Sequence, residues 1–239
     1  MDGCRAGWIA LWLTKRAPRK TGAAVFASMT ALWTALGHAE HILVDMPIGL
    51  PHRLHRHCDS EARQILGPRR GSRVFPCPSR AALEARAYPE ACKLNLKQLG
   101  KKLSKQSYFI LPKIRECDAL LQGNAAAREK IVEAHPEVCF AGLVDGAGLA
   151  SSKKTEQGRD ERLALIQDNR PELLPVVQAI LAQHRRSELL PDDAVDAAML
   201  TYAASVPGRW RVLPEQVPLE FDETGLPMRI VGLKSRARI

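Results

Sequence analysis

Apolar residues first recur in short runs along this chain, and helical spacing comes later. The beginning reads as the end of one strand, a tight turn at Cys4-Arg5-Ala6-Gly7, and a second strand over Trp8–Leu13. Thr14–Gly22 is basic and contains Pro18 and Gly22, so it predicts a loop, and Ala23-Ala-Val-Phe-Ala27 predicts a third strand. Thr30–Leu36 has helical spacing and stops at Gly37, a good C-terminal signal. His41-Ile-Leu-Val-Asp45 is then a fourth strand, met at once by the breaker Met46-Pro-Ile-Gly-Leu-Pro51. This β-β-β-α-β order predicts an α/β fold with a mixed sheet, and puts Asp2 and Asp45 on adjacent strands.

From Pro51 to about Arg128 helical patterns dominate, as in Asp59–Leu66 and Ile114–Leu121. They are broken by a basic, proline-bearing loop over Gly67–Ser79. The expectation is a helical insertion over residues 51–128, after the fourth strand, covering one end of the sheet. Lys130–His135 predicts a fifth strand ended by Pro136, and Gly146–Gly158 a polar, glycine-bearing, mobile loop. Helices are expected over Asp160–Gln167, Leu173–Gln183 and Pro191–Ala204. In the C-terminal part (209–239), Val217–Phe221, Asp222-Glu-Thr-Gly225 and Pro227–Val231 read as a C-terminal β-hairpin with a glycine turn, followed by a basic tail. At 239 residues the whole is expected to be one domain.

Asp2, Asp45, Asp193 and Asp196 are the candidate catalytic and metal-ligating residues. A carboxylate closing a buried strand is held on a rigid element and exposed at the sheet edge. The i, i+3 spacing of Asp193 and Asp196 puts both on one face near a helix start, where negative charge is favoured. Carboxylates converging from separate elements are what a hard cation such as Mg2+ requires. The plainer alternatives are a turn residue for Asp45, a solvated face for Asp193 and Asp196, and an N-cap for Asp192. Glu133 and Glu137 are candidate accessory ligands or bases, and Glu137 equally an anchor of the turn at Pro136. His135 is a candidate proton shuttle or a structural histidine of that turn. His52, His55, His57 and Cys58 lack the second ligand pair of a zinc site.

Hydrophobic residues make up 46% and charged residues 26%, ordinary for a globular protein. No apolar stretch approaches the roughly 18 residues of a membrane span, no signal-peptide pattern is present, and the six cysteines are scattered without a C-x-x-C pair. The expectation is a soluble, cytoplasmic protein with reduced thiols. The formal net charge of +9 favours polyanionic partners without identifying one. Arg5, Arg69, Arg70, Arg73, Arg80, Lys113, Lys153 and Lys154 are candidate phosphate contacts, with the Arg69–Arg80 loop foremost.

Five ordered blocks carry a family resemblance: Asp2-Gly-Cys-Arg-Ala-Gly-Trp8, Asp45-Met-Pro-Ile-Gly-Leu-Pro51, His135-Pro-Glu-Val-Cys-Phe140, Ser152-Lys-Lys-Thr155 and Asp192-Asp-Ala-Val-Asp196. Together they resemble the DUF429 family of predicted nucleases with an RNase H-like fold, over most of the chain. The resemblance implies a first-strand aspartate (Asp2), an acidic residue ending the fourth strand (Asp45), and carboxylates from a late helix. Asp193-Ala-Val-Asp196-Ala-Ala is similar to the D-x-x-D-A-L-A helix of Holliday-junction resolvases. Relatives carry several apolar residues before the first aspartate, so the natural start is expected to lie upstream of Met1.

The expected activity is metal-dependent hydrolysis of phosphodiester bonds in DNA or RNA, with Mg2+ or Mn2+ on the clustered aspartates. Two alternatives stay open: a non-catalytic nucleic-acid-binding protein of this fold, and a small-molecule phosphohydrolase using the same pocket. No P-loop motif supports nucleotide binding of that kind.

Overall fold

The computed structural model describes residues 1–15, 18–144 and 148–235. Its first three strands form an antiparallel meander: β1 (Asp2–Cys4), β2 (Gly7–Leu13) and β3 (Thr21–Phe26). The tight turn between β1 and β2 ends at Gly7, whose φ of 139° suits glycine; a Cβ there would lie 2.0 Å from the Phe26 carbonyl oxygen. Helix α1 (Met29–Leu36) is capped by Ser28, whose side chain accepts from the Ala31 N–H.

β4 (Ile42–Val44) is buried on both faces and pairs in parallel with β5 (Ile131–Glu133), with Ile42 opposite Ile131. Two backbone bonds join β1 to β4: the Met1 amine donates to the Leu43 carbonyl (2.8 Å) and Asp45 N–H to the Met1 carbonyl (3.1 Å). On the far side, Ala134 forms a parallel bridge with Val231, beside the pair β6 (Trp210–Leu213) and β7 (Ile230–Leu233). The spatial order is therefore β3-β2-β1-β4-β5-β7-β6.

Both faces of the centre are covered, and β2 displays the reason. Ile9 and Leu11 join one cluster with Ala194, Ala197 and Leu200, whereas Trp8 and Ala10 join another with Met29, Leu32 and Ile114. The period of two thus serves two cores, and the strand reads as continuously apolar rather than alternating. Helix α10 (Pro191–Ala204) lies across β1, β2 and β4. Its small Ala194, Ala197, Ala198 and Ala203 are all fully buried, which permits close approach to the sheet. Thr201 spends its hydroxyl on the Leu11 carbonyl at 2.9 Å.

Between β4 and β5 run α2 (His57–Leu66), α3 (Tyr88–Leu99), α4 (Lys105–Phe109), α5 (Leu111–Gly123) and α6 (Ala125–Lys130). Helices dominate between β4 and β5, and the sequence pattern located α2 and α5 among them. A short helix, α7 (Pro136–Ala141), begins where the fifth strand stops, followed by α8 (Glu156–Asn169) and α9 (Leu174–Gln183). Of the loop expected over Gly146–Gly158, residues 146 and 147 lie outside the described residues, and the rest leads into α8. No helix among the described residues is long and apolar enough to cross a membrane.

The C-terminal hairpin expectation needs correcting. The antiparallel partner of β7 is Trp210–Leu213, and Val217–Phe221 pairs only next to the turn, where Phe221 bridges Pro227 and Met228 N–H donates to the Glu220 carbonyl (2.8 Å). The turn at Asp222–Gly225 forms, but its carboxylate binds elsewhere: Asp222 accepts from Leu50 N–H (2.9 Å) and Leu226 N–H (3.0 Å) and ion-pairs with Arg80. These bonds draw the segment onto the turn after Asp45 and away from a ladder.

Candidate metal centre and its cleft

Three rigid elements deliver carboxylates to one point. Asp2 opens β1, Asp45 follows the last residue of β4, and Asp196 projects from the second turn of α10. One oxygen from each lies within 4.8 Å of the others; among the described residues this is the sole such group of three or more metal-type side chains. Asp2 and Asp196 are buried and Asp45 is half-buried; Asp2 and Asp45 line a cleft of about 620 Å3.

Asp193 lines the same cleft but is not a member of the group, so the i, i+3 pair divides its work. Its carboxylate accepts from Leu190 N–H (3.2 Å), satisfying a donor at the helix start. The N-cap is Leu190, with Pro191 at the first helical position, and not Asp192, because proline presets the backbone there.

The clustered carboxylates raise one another's affinity for protons. Burial first, then Asp45 and Asp196, push the Asp2 carboxyl well above its ordinary range. Burial raises Asp196 to about 6 against the pull of Lys153, and burial raises Asp193 to about 7. Lys153 Nζ donates to Asp196 Oδ2 at 2.5 Å. Burial works against that ammonium, but Asp196, Asp2 and Asp45 outweigh it and hold it well above the usual lysine range. The other Asp196 oxygen, Oδ1, is buried with no hydrogen-bond partner. A buried carboxylate oxygen with no protein partner, in an acidic cluster, is costly as it stands. It fits a hard divalent cation, which takes oxygen ligands.

Around this floor the accessory acids are held by arginines. Glu137 is buried; Arg162 grips it with three bonds of 2.7–2.8 Å, and Arg73 pairs with its Oε2. Burial disfavours the Glu137 charge, but Arg162 and Arg73 outweigh that and keep its carboxyl below the usual range. Glu133 receives two bonds from Arg56 (2.7 and 2.8 Å) and one from Ile48 N–H (2.7 Å). His135 lines the cleft with Nε2 3.3 Å from the Arg73 carbonyl, and its Nδ1 is buried without a partner.

The basic residues separate. Arg5, Lys113 and Lys154 line the cleft; Lys113 holds its ammonium 5.1 Å over the Trp8 ring and 3.5 Å from Glu116, and Arg5 donates to the Arg186 carbonyl (3.2 Å). Arg73 and Lys153 also line it but are engaged by Glu137 and Asp196. Arg69, Arg70 and Arg80 do not. Arg69 is exposed, Arg70 donates to the Gly148 carbonyl, and Arg80 is tied to Asp118 (2.8 Å) and Asp222. The Arg69–Arg80 loop thus meets the cleft through Ser72–Phe75 and spends Arg80 on joining the insertion to the C-terminal segment.

Sequence reasoning missed the two arginines that hold the floor together. Arg56, 2% exposed, bonds Asp59, Glu133 and the Ile48 carbonyl (3.0 Å), clamping the turn that follows Asp45. Arg162, 1% exposed, holds Glu137 and the Gly158 carbonyl (2.6 Å). Asp59 at i+3 from Arg56 was a legible signal. Glu133 lies 77 residues away, and nothing local marks it.

Neither the curated proteins nor the solved structures include a match to this chain. A family model, described as "Protein of unknown function (DUF429)", matches residues 1–218, and with nine-tenths of its length so covered the chain belongs to the DUF429 family.

Proposed function

We propose that this protein is a metal-dependent nuclease built on an RNase H-like core. Support for the core comes from an antiparallel β3-β2-β1 trio and a parallel β4–β5 pair, set side by side by the Met1 bonds to Leu43 and Asp45. The observation that carries the activity is the convergence of Asp2, Asp45 and Asp196 within 4.8 Å, with one Asp196 oxygen buried and unpartnered. These three would hold Mg2+ or Mn2+, with Asp193 one helical turn away. A bound ion there supplies Lewis-acid polarisation of a phosphoryl oxygen and a more acidic water.

The remaining work falls to the chain's own groups. Short aspartates on β1, β4 and α10 fix their oxygens with little rotamer freedom, which suits a preorganised site. The Arg56–Glu133 clamp holds the turn after Asp45, so that carboxylate keeps its place in the floor. Arg5, Lys113 and Lys154 supply charge for the phosphates flanking the scissile bond. Lys153 neutralises part of the acidic cluster before substrate arrives.

The test is cleavage with Mn2+ on a panel of single-stranded, duplex, hybrid and branched substrates. Asp45→Asn is expected to abolish turnover while leaving the melting temperature in EDTA at or above that of the parent. Unchanged turnover in that variant removes Asp45 from the mechanism and the proposal with it.

A further inference from the structure

The cleft above the acidic floor has an unusual rim. Phe109 is 73% exposed and Phe75 43% exposed, and both line the cleft that contains Asp2 and Asp45. Phenylalanine is ordinarily a core residue; Phe140 is fully buried, Phe26 packs against the second core cluster, and Phe221, 57% exposed, lies outside this cleft. Two rings left in water at one site, among charged side chains, are surplus to the core.

Their supports are connected. Phe109 ends α4, and Phe75 lies in the loop just beyond Arg73. Ser107, on α4, donates its hydroxyl to the Pro76 carbonyl at 3.0 Å, so the two ring-bearing segments are bonded to each other. Lys113 follows Phe109 at i+4 on the adjoining helix α5, and Lys154 and Arg5 line the same cleft. Aromatic rings interleaved with cations, above a floor of carboxylates, provide separate places for base faces and for phosphates.

We infer that Phe75 and Phe109 are a stacking platform that selects single-stranded nucleic acid as the substrate. An unpaired base has a free face to lay on a phenyl ring. In a duplex the base faces are already stacked on their neighbours, so the rim offers a duplex only its cations. This inference names the substrate class of the proposed nuclease and rests on that reading for the cleavage step alone; the binding preference stands on the rim.

The experiment is fluorescence anisotropy with labelled single-stranded DNA, single-stranded RNA and the corresponding duplexes, in Ca2+ to limit turnover. Single strands of either sugar are expected to bind tenfold or more tighter than duplexes, on the order of one good stacking contact. Phe109→Ala and Phe75→Ala each weaken single-strand binding by roughly 5- to 100-fold and leave duplex binding unchanged. Phe109→Trp restores single-strand binding, which a merely structural role would not do. Both rings are exposed, so melting temperatures stay at the parent value. Equal affinity for single strands and duplexes overturns the inference. So do alanine variants that bind single strands as the parent does, and so does binding to no nucleic acid at all. Ring-dependent binding without cleavage under Mn2+ would sink the nuclease reading and leave the platform standing. Mn2+-dependent cleavage indifferent to the rings and to strandedness would do the reverse.

Discussion

The acidic floor should make the metal-free protein less stable as pH rises, in a way that one substitution isolates. Asp196 holds its proton more tightly in the folded chain than in the unfolded one, its ordinary value of 3.8 being raised to about 6. Its contribution is therefore fully present below about 3.8 and lost as pH rises through about 6, where the carboxylate must sit buried and charged. The loss is roughly 3 kcal/mol for Asp196 alone. Glu137 and Asp222 work in the opposite sense, since their carboxyls are held below the usual range. The wild type is therefore compared with Asp196→Asn, so that these contributions cancel. In EDTA the asparagine variant should match the wild type near pH 4 and exceed it by up to about 3 kcal/mol near pH 8. For a chain of this size that is a higher melting temperature by roughly 6–12 °C. Mn2+ at about 100 times its Kd should then restore about 2.7 kcal/mol to the wild type and little to the variant. Calorimetric melts over this pH range, with EDTA and with Mn2+, read both effects. An asparagine variant less stable than the wild type near pH 8 in EDTA would mean that the Lys153 ion pair outweighs burial. It would refute the claim that the cluster is strained without a cation.

Other expectations come from the same geometry. Lys153→Met removes the ammonium that occupies Asp196, so Mn2+ affinity by calorimetric titration should rise about tenfold; weaker binding would show that Lys153 helps the ion and does not compete with it. Arg56→Met leaves Asp59 and Glu133 buried without their cation and should cost about 3–5 kcal/mol in urea denaturation, with near-parental stability counting against the clamp. Gly7→Ala puts a Cβ 2.0 Å from the Phe26 carbonyl at a φ of 139°, and should destabilise by at least roughly 1–3 kcal/mol. A parental denaturation midpoint in that variant would mean that the turn relaxes freely.

Local pattern was enough for much of this protein. The run at Trp8–Leu13, the helix stopping at Gly37 and the helix Pro191–Ala204 each carry their own period and punctuation, so residues close in sequence specify them. The breaker after Asp45 likewise announced a carboxylate at a strand end. The same logic failed for β6, because Trp210–Leu213 is four residues long and its partner β7 begins 17 positions beyond its last residue. It also failed for Val217–Phe221, whose neighbour Asp222 is captured by Leu50 N–H across the fold.

Within the site, residue type and spacing nominated four aspartates, and only packing divided them. Asp196 points to Asp2 and Asp45, whereas Asp193 is spent on the Leu190 N–H. Tertiary structure alone decided which cations are tied to distant carboxylates. Arg80, Arg73 and Lys153 look in sequence like Arg5, Lys113 and Lys154, yet the first three meet carboxylates contributed from far along the chain. A side chain's type is written in the sequence position by position. Whether its charge is already neutralised depends on what long-range folding brings beside it, and no local period encodes that.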